Sequence, residues 1–210
     1  MADKIYKNRL FLFKDLNEEE AWINSFREKG YRLCNIHFGF HYTFEKFEAY
    51  VPITRIDFRE FSNKEEEREY LQLFTDMGWI QIKNFSGQRY FQQISQSTDE
   101  FIYSSNKSFA LMYKRYSKFA FSMMTMFLFY FFIFYSIGTF NPIFEPKEAY
   151  LTPGLWEMSG LQFIGAFLFE TPFALMRIVG NYFFLIMAVY LTYIGYKNHK
   201  KYVKLSETER

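Results

Sequence analysis

Residues 40–46 alternate Phe40, Tyr42 and Phe44 with His41, Thr43 and Glu45, the period-two pattern of a strand with one buried face. Weaker versions, rich in aromatic and β-branched residues, fall at 5–13, 31–38, 51–58, 79–84 and 88–94. Between them the spacing changes. Trp22 and Phe26, and again Tyr70 and Phe74, stand four residues apart and predict helices over 17–29 and 63–77. The element order is therefore βαββ followed by βαββ. Farther on the polar positions disappear: 119–144 carries no charge, and 173–196 carries only Arg177.

The two βαββ runs are copies of one unit. At an offset of 48 residues, EEEAWINSFREKGY (18–31) lies over EEREYLQLFTDMGW (66–79). Trp22 meets Tyr70, Phe26 meets Phe74, Gly30 meets Gly78 and Tyr31 meets Trp79; farther on, Gly39 meets Gly87 and Tyr42 meets Tyr90. Asn17-x-x-Glu20 and Ser62-x-x-Glu65 read as capping boxes, with Leu16 and Phe61 as staples. Gly30 and Gly78 occupy the position where a helix ends in a left-handed residue. Short connections favour one mixed, mainly antiparallel sheet with both helices on one face. The fold class is α+β: a duplicated βαββ two-layer cytoplasmic domain over 1–105, then an all-α membrane region with two transmembrane helices.

About 20 apolar residues cross a bilayer as a helix. A juxtamembrane helix over 106–118 leads into a first span at 119–140, ended by Asn141 and Pro142. A second span covers 173–196, with Arg177 near its leading end, where a long side chain can snorkel. Lys107, Lys114, Arg115 and Lys118 precede the first span, and Lys197, Lys200, Lys201 and Lys204 lie in the 197–210 tail, whereas the 141–172 loop holds Lys147 alone. This bias predicts a multi-pass protein of the bacterial cell membrane with both termini cytoplasmic. The apolar stretch 161–169 is too short to span and reads as an interfacial helix, with a re-entrant segment as the alternative.

Charge and candidate chemistry exclude more than they supply. A net charge of +2 gives no electrostatic reason to expect nucleic acid, and Arg55, Arg59 and Arg89 are offset by Asp57, Glu60 and the Glu runs. The single cysteine, Cys34, stands near His37 and His41, but odd strand spacing sends Cys34 and His37 to opposite faces, so no metal site is expected. Glu18–Glu20 and Glu65–Glu67 suit the first turns of helices, where carboxylates face the positive pole. No nucleophile elbow or phosphate loop occurs, so no catalytic or cofactor-binding residues are expected. On the sheet face away from the helices, strand alternation offers Tyr6, Phe38 and Phe91 as candidates for an aromatic docking surface, with the juxtamembrane segment 101–116 as the alternative.

WINSFREKGY (22–31), YTFEK (42–46), RIDF (55–58), YLQLFTDMGW (70–79) and Tyr90-Phe91 together resemble the bacterial family of unknown function numbered 2812, over roughly 5–105. Tyr31 stands where that family more often has Trp. The resemblance implies no catalytic residues. It implies a compartment and a partner class, because such genes often neighbour PadR-type transcription regulators in Gram-positive bacteria. The expected function is a non-enzymatic membrane-anchored sensor or adaptor that binds a cytoplasmic protein, a regulator or a transporter component. The alternative is a membrane accessory or immunity protein acting through its spans and outer loop. The sequence sets no oligomeric state.

Overall fold

The computed structural model describes residues 3–11, 15–48, 50–94, 100–136 and 146–207. The first βαββ run consists of β1 (Lys4–Asn8), α1 (Leu16–Asn24) with a 3-10 turn at Arg27–Lys29, β2 (Tyr31–His37) and β3 (His41–Lys46). The second consists of β4 (Thr54–Phe58), α2 (Lys64–Asp76), β5 (Trp79–Phe85) and β6 (Gln88–Gln93). Two long helices follow, α3 (Asn106–Ser136) and α4 (Gly160–Glu207). The fold is α+β with a duplicated βαββ arrangement, and α3 starts where the juxtamembrane helix was expected.

The strands form two antiparallel sheets, β1-β3-β2 and β4-β6-β5, instead of the expected single sheet. The reason lies in α1. Asn24 uses its side-chain amide as a strand would, accepting from Thr54 N at 2.8 Å and donating to Thr54 O at 2.8 Å. One turn earlier, Glu20 Oε2 accepts from Ile56 N at 3.0 Å. Helix side chains thus occupy the outer edge of β4, which an adjoining strand would need.

Both helix starts differ by a residue or two from the expected capping boxes. Asp15, not Asn17, caps α1, its carboxylate accepting from Asn17 N at 3.2 Å. Asn63, not Ser62, caps α2: its side chain accepts from Glu66 N at 2.7 Å and donates to Glu66 Oε1 at 3.0 Å. Glu66 thus pairs with the cap one residue later than expected, through the Asn63 side-chain amide and not its backbone N–H. Glu20 is unavailable for such a role because it serves β4. At the other end α1 stops at Asn24, short of the expected 29, and a 3-10 turn completes the run to Gly30, while the glycines behave as expected. Gly30 and Gly78 are left-handed, with φ of 77° and 82°. Tyr31 N bonds to Phe26 O and Gly30 N to Arg27 O, a Schellman ending.

Structure extends the duplication and corrects its register. Each copy has a bulge in the strand after its helix, at Cys34 and at Ile82, matching the 48-residue offset. Each hairpin then turns through two left-handed residues, Phe38-Gly39 and Ser86-Gly87. In the first copy Phe40 adds one residue to the return, and from there the offset is 47. Phe47 N bonds to Gly30 O, and Ile94 N bonds to Gly78 O. Leu33 faces Phe44 as Gln81 faces Phe91. Tyr42 therefore matches Arg89, not Tyr90. At the opening strands the offset is 50, since Ile5 faces Phe44 as Arg55 faces Phe91.

The chain divides into two compact units, one of Met1–Lys118 with Tyr196–Arg210, the other Phe119–Gly195. In the first, Lys201 bonds to the Asp15 carboxylate and Lys197 lies 3.6 Å from it. In the second, Phe184 meets Phe127, Tyr130 and Phe134, and a Cβ added at Gly195 would lie 2.9 Å from the Phe121 ring. Both α3 and α4 are long and apolar enough to cross a membrane. The expected break at Asn141 and Pro142 lies outside the described residues. Residues 161–169 are not a separate helix; they are the opening turns of α4, which runs through Pro172. Pro172 removes one ladder bond, that to Leu168 O, and Thr171 adds a side-chain bond to the neighbouring carbonyl, Phe167 O, at 2.6 Å. Arg177 has partners within its own unit. Its Nη1 donates to Glu170 Oε1 at 2.7 Å and to Ala149 O at 2.6 Å. Glu170 in turn accepts from Thr152 and Leu151 N, which holds the preceding loop against α4.

Candidate functional site

The first unit is built on a five-residue aromatic motif that occurs twice. In the first copy Arg9 lies over Phe11 and Trp22, Phe11 meets Trp22, and Phe26 stacks on Phe44. In the second, Arg59 lies over Phe61 and Tyr70, Phe61 meets Tyr70, and Phe74 stacks on Phe91. Sequence comparison at one offset found the Trp22/Tyr70 and Phe26/Phe74 pairs. It missed Arg9/Arg59 and Phe11/Phe61, which stand 50 apart.

The copies diverge at the carboxylates beside this motif. Glu19 is buried, and its Oε1 accepts from Tyr42 at 2.7 Å and Tyr90 at 2.6 Å. One oxygen thus joins β3 of one sheet to β6 of the other. Burial raises the Glu19 carboxyl above its ordinary value, against the two hydroxyls, which favour the ionised form. Burial and the facing carboxylate push the Tyr42 and Tyr90 hydroxyls up as well. At the matching place in the second copy, Glu67 accepts from Arg89 at 2.7 Å, and Arg89 lies 4.6 Å over Phe61. Tyr42 has been exchanged for Arg89 within one framework.

Asp57 forms the second buried centre. Tyr70 donates to its Oδ2 at 2.5 Å and Tyr103 to its Oδ1 at 3.2 Å, while Arg115 Nη2 reaches both oxygens at 2.9 and 3.3 Å. Arg115 Nε also donates to Phe58 O at 2.8 Å. This network joins β4, α2, the segment after β6 and α3. Burial and the Asp57 charge push the Tyr70 and Tyr103 hydroxyls well up, so both remain donors.

Above this network lies a cavity of about 380 Å³ between α2 and the segment 102–115, within the size range of small-molecule sites. Leu73, Phe74, Met77, Ile102 and Leu111 supply apolar walls. Arg59, Lys107 and Arg115 line it too, and among the described residues Asp57 is its one carboxylate. This is the candidate functional site. It was not legible beforehand, since its walls come from residues up to 58 apart, although segment 101–116 was expected to dock a partner.

The other expected sites are placed less favourably. Tyr6 and Phe38 are exposed, at 60% and 81%, but Phe91 is fully buried beneath Phe74. The bulge at Ile82 adjoins the Gln81–Phe91 pair and confuses any reading of faces by alternation. Cys34 sits at its own bulge. His37 Nε2 lies 3.1 Å from Asn35 Nδ2, and His41 Nδ1 lies 2.5 Å from Asn8 Oδ1. Among the described residues no group of three or more His, Cys, Asp or Glu side chains could hold a metal. Trp79 is buried, whereas Tyr31 is half-exposed and donates to Asp3 at 2.9 Å.

A duplicated βαββ domain joined to two helices long enough to span a membrane defines the class of protein. The chain belongs to the family described as "Protein of unknown function (DUF2812)", whose match covers residues 15–126, just over half of it. That match begins at the α1 cap and ends within α3. No curated protein and no solved structure matches the chain.

Proposed function

We propose that this protein is a non-enzymatic, membrane-anchored sensor or adaptor whose duplicated domain faces the cytoplasm and binds a protein partner there. The observation that carries the reading is helix α3. Its first turns supply Lys107, Leu111 and Arg115 to the cavity, and the same unbroken helix continues through the apolar stretch. In this reading α3 is the element through which occupancy of the domain reaches the apolar stretch. The shared membership of residues 1–118 and 196–210 in one unit supports placing both termini on one side, as the lysine and arginine bias does.

The non-enzymatic reading draws support from where the perturbed carboxyls lie. Glu19 and Glu20 are raised by burial, yet each is committed to structural partners, Tyr42 and Tyr90 for one, Arg55 and Ile56 N for the other. A PadR-type regulator is the partner that the family resemblance favours. Recruiting it to the membrane lowers its free concentration for DNA without covalent chemistry. The test is crosslinking in native membranes followed by co-purification. Capture of the neighbouring regulator by the full chain, lost on Leu111→Asp, supports the adaptor. No capture, with target-gene expression unchanged in a deletion strain, removes it.

A further inference from the structure

We propose that the cavity between α2 and the segment 102–115 binds a single-chain amphipathic anion, with a carboxylate or phosphate head and an apolar tail. Three observations converge on that chemistry. The first is charge. Arg59, Lys107 and Arg115 line the cavity against one carboxylate, and Asp57 already accepts from Tyr70, Tyr103 and Arg115. Arg59 lies over the Phe61 and Tyr70 rings, and no carboxylate pairs with it among the described residues. The cavity therefore carries an excess of cations that an anionic head would neutralise.

The second observation is the apolar wall. Leu73, Met77 and Leu111 expose 56%, 43% and 39% of their surface, and all three line this one cavity. Exposed apolar side chains gathered beside cations fit a ligand with both characters. An inorganic anion would leave those walls wet, and a neutral chain would leave the cations unserved. The third is preorganisation. Tyr70 and Arg115 are fixed by Asp57, and Arg59 by the rings beneath it, so binding costs little side-chain ordering.

The chemistry is shared by fatty carboxylates and single-chain phosphate lipids, and the probes separate them. Full-length protein in neutral-lipid nanodiscs is photolabelled with decanoate bearing a diazirine in its tail, and labelled peptides are mapped by mass spectrometry. Label is expected on 73–77 and 102–111, displaced by decanoate or decyl phosphate but not by decanol. Whichever anion displaces at the lower concentration identifies the head. Arg59→Gln with Lys107→Gln is expected to raise the displacing concentration at least tenfold. Lys107→Gln alone, at an exposed position, gives a smaller rise in the same direction with an unchanged melting temperature.

Label confined to the apolar stretches, displacement by decanol equal to that by decanoate, or wild-type displacement in both variants would each overturn the proposal. The inference deepens the sensor reading by naming its ligand. The two fail separately: anion binding without partner capture removes the adaptor and keeps the site, and capture without anion binding does the reverse.

Discussion

Phe74 lies flat on Phe91, ring centroids 4.5 Å apart and planes 19° apart, and Phe26 repeats that contact on Phe44 at 4.3 Å and 23°. All four rings are buried. Because the two stacks are equivalent, truncating them should have equivalent cost. Phe26→Ala and Phe74→Ala are each expected to destabilise the first unit by about 3–5 kcal/mol. Denaturation of the full chain, followed by near-ultraviolet circular dichroism, measures both. A loss below about 1 kcal/mol for either would mean that its stack is not a core contact.

Two ion pairs on α2 should behave oppositely. Arg68 and Glu65 are exposed on both sides, so Arg68→Leu is expected to change stability by less than about 1 kcal/mol. Arg89 is only 4% exposed in its side chain, and Glu67→Ala removes its carboxylate. That loss is expected to cost about 2–3 kcal/mol, lessened by the partial exposure of Glu67 itself. Equal effects from the two variants would contradict the assignment of Arg89 to the place that Tyr42 holds in the first copy.

Glu19 and Asp15 give stability contributions of opposite pH dependence. Glu19 is raised in the folded state by burial, so its contribution is complete below the ordinary value of 4.5 and is lost as pH rises through the folded value. Glu19→Gln removes that loss, so its melting temperature should gain on the wild type as pH rises above 4.5. At Asp15 burial pushes upward, but the Lys201 bond and charge outweigh it and the carboxyl ends below its ordinary 3.8. Its contribution is present above that value and is lost as acid takes the pH through the folded one. Asp15→Asn should therefore destabilise at neutral pH and converge on the wild type in acid. Parallel curves for either variant would refute the corresponding assignment.

Gly30 and Gly39 separate backbone strain from crowding. A Cβ at Gly30 meets nothing within 4 Å, so Gly30→Ala should cost only the left-handed strain, about 1–2 kcal/mol. A Cβ at Gly39 would run into the Phe85 ring, so Gly39→Ala adds a clash to the same strain. The expected order in melting temperature is wild type, Gly30→Ala, Gly39→Ala. Combining Gly39→Ala with Phe85→Ala should restore part of the loss.

Topology is checked by impermeant thiol labelling in a Cys34→Ser background. Leu151→Cys, at a 65% exposed position, should react in intact cells, while Glu60→Cys and Leu205→Cys should react only after permeabilisation. Labelling of position 60 in intact cells would invert the orientation.

Secondary structure was legible because each copy states it locally: four-residue aromatic spacing for α1 and α2, alternation in β3, a glycine after each helix. What needed coordinates was any feature set by length differences between the copies. The extra Phe40 shifts the match by one, which a gapless comparison converts into a false Tyr42–Tyr90 equivalence. Arg9 and Phe11 escaped notice because the connection before β4 moves their partners to an offset of 50. The reading of 161–169 as a separate interfacial helix failed because those residues open α4, which runs on through Pro172, a proline that long apolar helices tolerate. The two-sheet arrangement depends on Asn24 and Glu20 acting as a strand edge, a role that no residue pattern announces.

The bond from Lys201 to Asp15 joins positions 186 residues apart. In the order of synthesis, Asp15 leaves the ribosome first and waits for Lys201 while both apolar stretches are made, about 10–40 s at 5–20 residues per second. During that interval the half-buried Asp15 carboxylate at the start of α1 lacks the Lys197 and Lys201 cations. The duplicated domain thus acquires this contact only once α4 has been made as far as Lys201. A chain cut between the two apolar stretches would lack Lys197 and Lys201, leaving the Asp15 carboxylate with the Asn17 N–H that it caps.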